Sequence, residues 1–265
     1  MKRVLVMPQF NEERTIIGVL ERALPWVDYV VVVDDGSTDS SAQMVARWMA
    51  GRPGCYLISL GRNRGMSGAL KAGFCLVYSW LQAGLIQPDD LVVNIDADGQ
   101  RYPEEIPKAA RRLQEGGYDV LLGCRDLSGY PWPKQLGNRV LSWWASFLSG
   151  FRYRDVECGF RLMRAAVLGP LLRYFTGLRY GCAQEIAIIT ALCGFRIDNQ
   201  YPTSIAYYRP GARLVDGLVN MLMGVLAWAR VKLGWANCLP RLLEHTLRDA
   251  HVRCGSGQPI RRSAG

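Results

Sequence analysis

The sequence predicts an α/β protein in which a mostly parallel sheet carries helices on both faces. Through residue 126, short apolar runs alternate with segments of helical period, at roughly the 30-residue spacing of a strand–helix–strand unit. The runs are continuously apolar and β-branched, as strands covered on both faces are. The chain has 265 residues, 49% of them apolar, and no linker-like stretch interrupts them before the C-terminal region. One large domain is therefore expected.

The elements follow in order. RVLVMPQ (3–9) reads as a strand, and TIIGVLERALPW (15–26) as a helix from a Thr cap to Pro25. YVVVVD (29–34) is a strand ending in acids and turn formers, and SSAQMVARWMAG (40–51) a helix stopped by glycine. CYLISLG (55–61) is the third strand and GMSGALKAGFCLVYSWLQAG (65–84) the third helix. DDLVVNIDADG (89–99) is the fourth strand. The next helix, 103–117, opens on Pro103 with Glu104 and Glu105 in its first turn, where the helix dipole favours negative charge. YDVLLGCRD (118–126) closes the series. Beyond Tyr130 the chain is rich in aromatics and arginine, with a helical stretch near 183–194 and a strand at FRIDNQYP (195–202). The expected division is a main α/β domain over 1–212, a helical segment over 213–250 and a disordered tail over 251–265.

The formal charge of +9 points to an anionic partner: nucleotide phosphates, acidic lipid headgroups or nucleic acid. Nucleic acid is disfavoured because the basic residues interleave with acids and no recognition signature is present. Eight cysteines without Cys-x-x-Cys pairs or histidines at metal spacing read as reduced thiols. MKRVLVMPQFNEE reads as a first strand rather than a signal peptide. The apolar run at 217–229 is shorter than the roughly 20 residues that cross a bilayer, so no transmembrane helix is expected.

Ligands of parallel sheets bind beyond the carboxyl ends of the strands. Those ends hold PQFNEE, DDGSTD, GRNRG, DADGQ and CRD. Pro8 fixes the first turn, Asn11 is a helix-cap candidate, and Glu12 lies near the following helix. Asp34 and Asp35 belong either to an ordinary turn, capped by Ser37, Thr38 or Asp39, or to a site where a carboxylate accepts from a ribose hydroxyl or base N–H. No G-x-G-x-x-G follows the first strand, which argues against a dinucleotide site. NIDADGQ sets Asp96 and Asp98 one residue apart behind a buried run, where like charges repel. A hard divalent cation, Mg²⁺ or Mn²⁺, would relieve that repulsion and takes carboxylates together with substrate phosphates. In a strand, residues 96, 98 and 100 would share one face, bringing Gln100 into the set.

PQFNEE, VVVDDGSTD, GRNRGMSGALKAGF, NIDADGQ, LLGCRD and ECGFRLMR, in this order, resemble the inverting family 2 glycosyltransferases. Within that family the chain is similar to dolichyl- or polyprenyl-phosphate sugar synthases of the dolichol-phosphate mannosyltransferase type, over about residues 3–212. The resemblance implies a GT-A type fold and a donor such as GDP-mannose or a UDP-sugar. It also implies a divalent metal held by Asp98 and Gln100 with Asp96 beside the donor, and a nucleoside wall built from Pro8, Glu12 and Asp35; Asn11 and Asp34, in the same two turns, complete the expected donor-binding set. The acceptor, a lipid phosphate, falls by the same resemblance to Arg125, Arg139 and Arg209, and guanidinium groups suit it because they bind phosphoryl oxygens in pairs.

An anionic phosphate acceptor needs little help from a base, whereas an alcohol needs one. Asp155, in RDVECGFR, is the base candidate or else a structural partner of Arg161; Glu185 is the weaker candidate. Two departures fall on the acceptor side: Asn199-Gln200-Tyr201-Pro202, where the family carries Glu before Val-Pro, and ARLVDG in place of Gly-x-Ser-Lys. A soluble small-molecule or natural-product acceptor is the competing reading. VLSWWASFLSGF (140–151), flanked by Arg139, Arg152 and Arg154, has the makeup of an interfacial helix, and 217–235 is a second. The alternative for both is core packing with snorkelling basic ends. The expectation is a cytoplasmic enzyme attached peripherally to the cytoplasmic face of a membrane.

Overall fold

The computed structural model describes residues 1–205, 214–248 and 250–255. In chain order these form β1 (Arg3–Gln9), α1 (Ile16–Ala23), β2 (Tyr29–Asp34), α2 (Ser41–Met49), β3 (Cys55–Ser59), α3 (Met66–Gln82), β4 (Leu91–Asn94), α4 (Ile106–Glu115) and β5 (Val120–Arg125). Then follow α5 (Trp132–Ser149), β6 (Arg161–Arg164), α6 (Leu168–Tyr174), α7 (Cys182–Leu192), β7 (Ile197–Thr203), α8 (Leu214–Lys232), α9 (Leu239–Arg248) and β8 (His251–Cys254).

One mixed sheet runs β7-β5-β6-β4-β1-β2-β3-β8. β3, β2, β1 and β4 are parallel neighbours. Alternate residues of β1 face opposite layers. Val4 and Val6 pack with Leu70, Phe74 and Val77 of α3 and with Leu171 and Ile186 of α6 and α7. Leu5 and Met7 pack with Leu20 of α1, Val45 of α2 and Leu113 of α4. All of these side chains are buried, and each large aliphatic one removed from water stabilises the fold by about 1.5–3 kcal/mol. The sheet therefore has helices on both faces, as its continuous apolar runs imply.

Three boundaries differ from the sequence reading. ECGFRLMR contains a strand, β6, which inserts antiparallel between β4 and β5; only Leu162 and Met163 separate its two arginines, too short a run to announce itself. β4 ends at Asn94 and DADG turns away, so the period-2 face proposed for 96, 98 and 100 does not form. The tail expected from residue 251 is corrected for His251–Cys254, which pair antiparallel with β3 from Tyr56↔Cys254 to Ser59↔His251.

Candidate active site

A cleft of about 200 Å³ opens at the carboxyl ends of β1, β2 and β4. Its wall includes Pro8, Glu12 and Asp35, its floor Asp96, Ala97 and Asp98, and its far side Gly65, Met66 and Tyr180. The parallel register creates this meeting point: Gln9 pairs with Asp34 and Val6 with Asn94, so three polar turns emerge side by side.

The first two turns interlock. Gln9 Nε2 donates to Asp34 Oδ1. Asn11, at φ +55°, accepts the Thr38 N–H at 2.8 Å through Oδ1 while its own N–H donates to Ser37 Oγ at 2.9 Å. Asn11 therefore caps the turn after β2 and not its own helix, whose N-cap residue is Thr15. Asp39 Oδ1 accepts the Ser41 N–H, but the N-cap residue of α2 is Ser40, so none of the three cap candidates takes that position. Asp34 and Asn11 hold the wall together without lining the cleft.

Asp35 accepts the backbone N–H groups of Arg64 (2.7 Å) and Gly65 (2.8 Å). Burial pushes its carboxyl up to about 6, against those two hydrogen bonds and with a further push from Asp34. GRNRG is thereby fastened across the cleft mouth. Gly36, at φ +74°, permits the approach, since a Cβ there would lie 2.7 Å from the Arg62 carbonyl carbon.

At the floor, Asp98 Oδ1 accepts the Gln100 backbone N–H at 3.0 Å, and the Gln100 side chain is not among the cleft's lining groups. Asp96 has an oxygen, Oδ1, that is out of water and without a hydrogen-bond partner. Burial first, and then the charge of Asp98, push the Asp96 carboxyl up to about 6; Arg161, Arg101 and Arg125 pull it the other way. Gly159 leaves room for it, because a Cβ at 159 would sit 1.9 Å from Asp96 Oδ2. An unmade acceptor beside a second carboxylate, with oxygen donors only, fits a hard divalent cation that keeps most of its sites for substrate.

The acceptor-side residues are arranged differently from expectation. Asp155 is 4% exposed and faces Arg125, through Nε to Oδ2 at 2.7 Å and Nη2 to Oδ1 at 2.8 Å. Arg161 instead donates to Asn94 Oδ1 at 3.0 Å. Both Asp155 as a base and Arg125 as a phosphate ligand are thus engaged with each other. Arg139 lies exposed on α5, and Arg209 lies outside the described residues. Glu185 is fully buried and accepts the backbone N–H groups of Thr176 (3.1 Å) and Gly177 (3.3 Å); burial raises its carboxyl to about 7. It anchors the segment that carries Tyr180 to the cleft, an indirect role. In the same layer as Asp155, Glu157 lies 3.3 Å from Gln184 Nε2 and is raised by burial. Neither Glu157 nor Tyr180 was singled out in sequence, since neither sits at the end of a strand of the parallel series, where a ligand is expected.

The family model of glycosyl transferase family 2 matches residues 4–161, more than half of the chain and every strand-end turn of the cleft. The chain belongs to glycosyl transferase family 2. Its GT-A fold is shared with glucosyl-3-phosphoglycerate synthase from Mycobacterium tuberculosis, solved with Mn²⁺, UDP-glucose and phosphoglyceric acid. That likeness has a TM-score of 0.59 at 20% identity and covers 87% of this chain and 79% of the other. Among curated family 2 relatives, the undecaprenyl-phosphate mannosyltransferase of Micrococcus luteus is 29% identical over 240 residues, 86% of this chain and 94% of its own. The undecaprenyl-phosphate 4-deoxy-4-formamido-L-arabinose transferase of Serratia proteamaculans is 32% identical over 176 residues, 63% of this chain; the alignment spans half of that relative's length. The protein is a glycosyltransferase of this family.

Proposed function

We propose that this glycosyltransferase moves one hexose, mannose or glucose, with inversion from a nucleotide diphosphate sugar, GDP-mannose or a UDP-sugar, to a polyprenyl phosphate. The observation that carries the reading is the unpartnered Oδ1 of Asp96 next to Asp98, on the floor of a cleft whose wall is Pro8, Glu12 and Asp35. Asp96 and Asp98 would hold Mg²⁺ or Mn²⁺, which when bound offsets the charge of the departing diphosphate. The nucleoside would lie against Pro8 and Asp35, with Tyr180 closing over it. Gly159 keeps the face of Asp96 clear for the sugar and the incoming acceptor oxygen. A phosphate acceptor is already anionic near neutral pH, which agrees with an Asp155 carboxylate committed to Arg125.

The surface supports a lipid acceptor. Trp132, Leu136, Val140, Trp143 and Phe147 recur at helical spacing along α5 and are all exposed. Leu218 and Leu222 of α8 are exposed as well, and the two helices are joined by Trp144 Nε1 donating to the Met221 carbonyl at 3.0 Å. Among the described residues no helix is long and apolar enough to cross a membrane. An aromatic face flanked by Arg139, Arg152 and Arg154 suits attachment in the plane of an anionic membrane surface, with the cytoplasmic face the expected side. On its inner side α5 receives the Tyr153 N–H at Ser146 Oγ (2.9 Å) and the Val156 N–H at Ser142 Oγ (3.1 Å). The helix that would meet lipid is therefore bonded to the segment bearing Asp155 and Gly159.

A panel of nucleoside diphosphates with and without Mn²⁺, read by calorimetry, tests the donor. Transfer to a polyprenyl phosphate against transfer to phosphorylated small molecules tests the acceptor; a preference for the small molecules would move the reading to a soluble acceptor.

A further inference from the structure

Three guanidinium groups act on the Asp96 carboxyl: Arg161, Arg101 and Arg125. Arg125 is closed on Asp155, and Arg161 donates to Asn94. Arg101 differs. It is 3% exposed, yet its Nε and Nη1 are out of water and make no hydrogen bond. Nη2 is not among the buried unpartnered atoms. Burial raises the Cys158 thiol and the charge of Arg101 pulls it the other way, and Cys158 precedes Gly159, which packs against Asp96.

A planar fork of donors kept from water without acceptors is costly, and such a group in a native structure calls for an explanation, a catalytic role or a bound ion among them. From this geometry we infer that Arg101 binds a substrate phosphoryl group at the transfer site, either the donor's diphosphate or the acceptor's phosphate. The inference deepens the function proposed above and rests on it. A guanidinium here supplies paired N–H donors that neither carboxylate of the DADG turn can offer. Sequence gave little sign of it, since one arginine after an acidic turn reads as a solvated counter-charge.

Arg101→Gln and Arg101→Lys, prepared in the full chain, test this by calorimetry and thermal unfolding. The probes are UDP with Mn²⁺, GDP with Mn²⁺, and a short-chain polyprenyl phosphate. The expected result is binding weakened about 10- to 100-fold in Arg101→Gln for one class of probe, with partial recovery in Arg101→Lys. Weaker nucleotide binding assigns Arg101 to the diphosphate, and weaker lipid-phosphate binding assigns it to the acceptor. The melting temperature without ligand should stay level or rise in Arg101→Gln, because an unsatisfied buried charge has been removed. A lower ligand-free melting temperature with unchanged affinities would show a structural arginine and overturn the inference. So would wild-type affinity for every probe in Arg101→Gln. A wild-type protein that binds none of the probes would overturn the proposed function, and this inference with it.

Discussion

Asp155 and Arg125 form a two-point ion pair, with both side chains nearly out of water and the Arg125 backbone N–H adding a third bond to Asp155 Oδ2 at 3.1 Å. Breaking a buried pair from one side leaves the other charge stranded. Asp155→Asn should therefore lower the unfolding free energy by about 3–5 kcal/mol, measured by urea denaturation. If Asp155 acted as the catalytic base, the same variant would keep its stability and lose the acidic limb of the pH–rate profile.

Asp98→Asn removes one charge from the cleft floor and should leave the fold intact by circular dichroism. Turnover should fall about 100-fold or more, the scale on which a lost transition-state charge contact is felt. Nucleoside diphosphate binding should lose its dependence on Mn²⁺. Mn²⁺-dependent binding of wild-type strength in this variant would remove Asp98 from the metal set.

Glu185 should make stability depend on pH. Its carboxyl is raised to about 7 in the fold, against about 4.3 in an unfolded chain. Between those values the folded chain holds a proton that the unfolded chain has released. Stability from this group is therefore full below about 4.3 and is lost as pH rises through 7. The urea midpoint should fall from pH 5 to pH 7.5, and Glu185→Gln should flatten that part of the slope.

Trp143 and Phe147 stack at 5.8 Å between ring centroids on the exposed side of α5. Replacing both with serine should reduce co-sedimentation with anionic vesicles at least about tenfold, since each buries a large apolar area in the interface. Nucleotide binding in solution should be unaffected. Unaltered sedimentation would assign that face to a protein partner.

The parallel half of the sheet was legible because runs such as Val30–Val33 leave few alternatives. β6 and β8 were not, since RLMR and HVRC carry arginine in half-length runs and owe their pairing to neighbours far along the chain. The turns that line the cleft could be found because they sit at strand ends, where topology alone predicts a ligand. Partnerships could not: Arg125 and Asp155 are 30 residues apart, and nothing local in either segment says that Asn94, rather than Asp155, takes Arg161. The DADG carboxylates do meet at the cleft, whereas their supposed shared face with Gln100 failed because the strand stops two residues earlier than Asp96.

β8 has a practical meaning for anyone handling this protein. It covers the outer ladder of β3, and Gly255 continues the seam by donating to the Cys55 carbonyl and accepting from Gly51. A chain clipped near Ala250 would bare those amides and carbonyls to any extended peptide nearby. Self-association, rather than loss of catalysis, would be the first symptom of such damage.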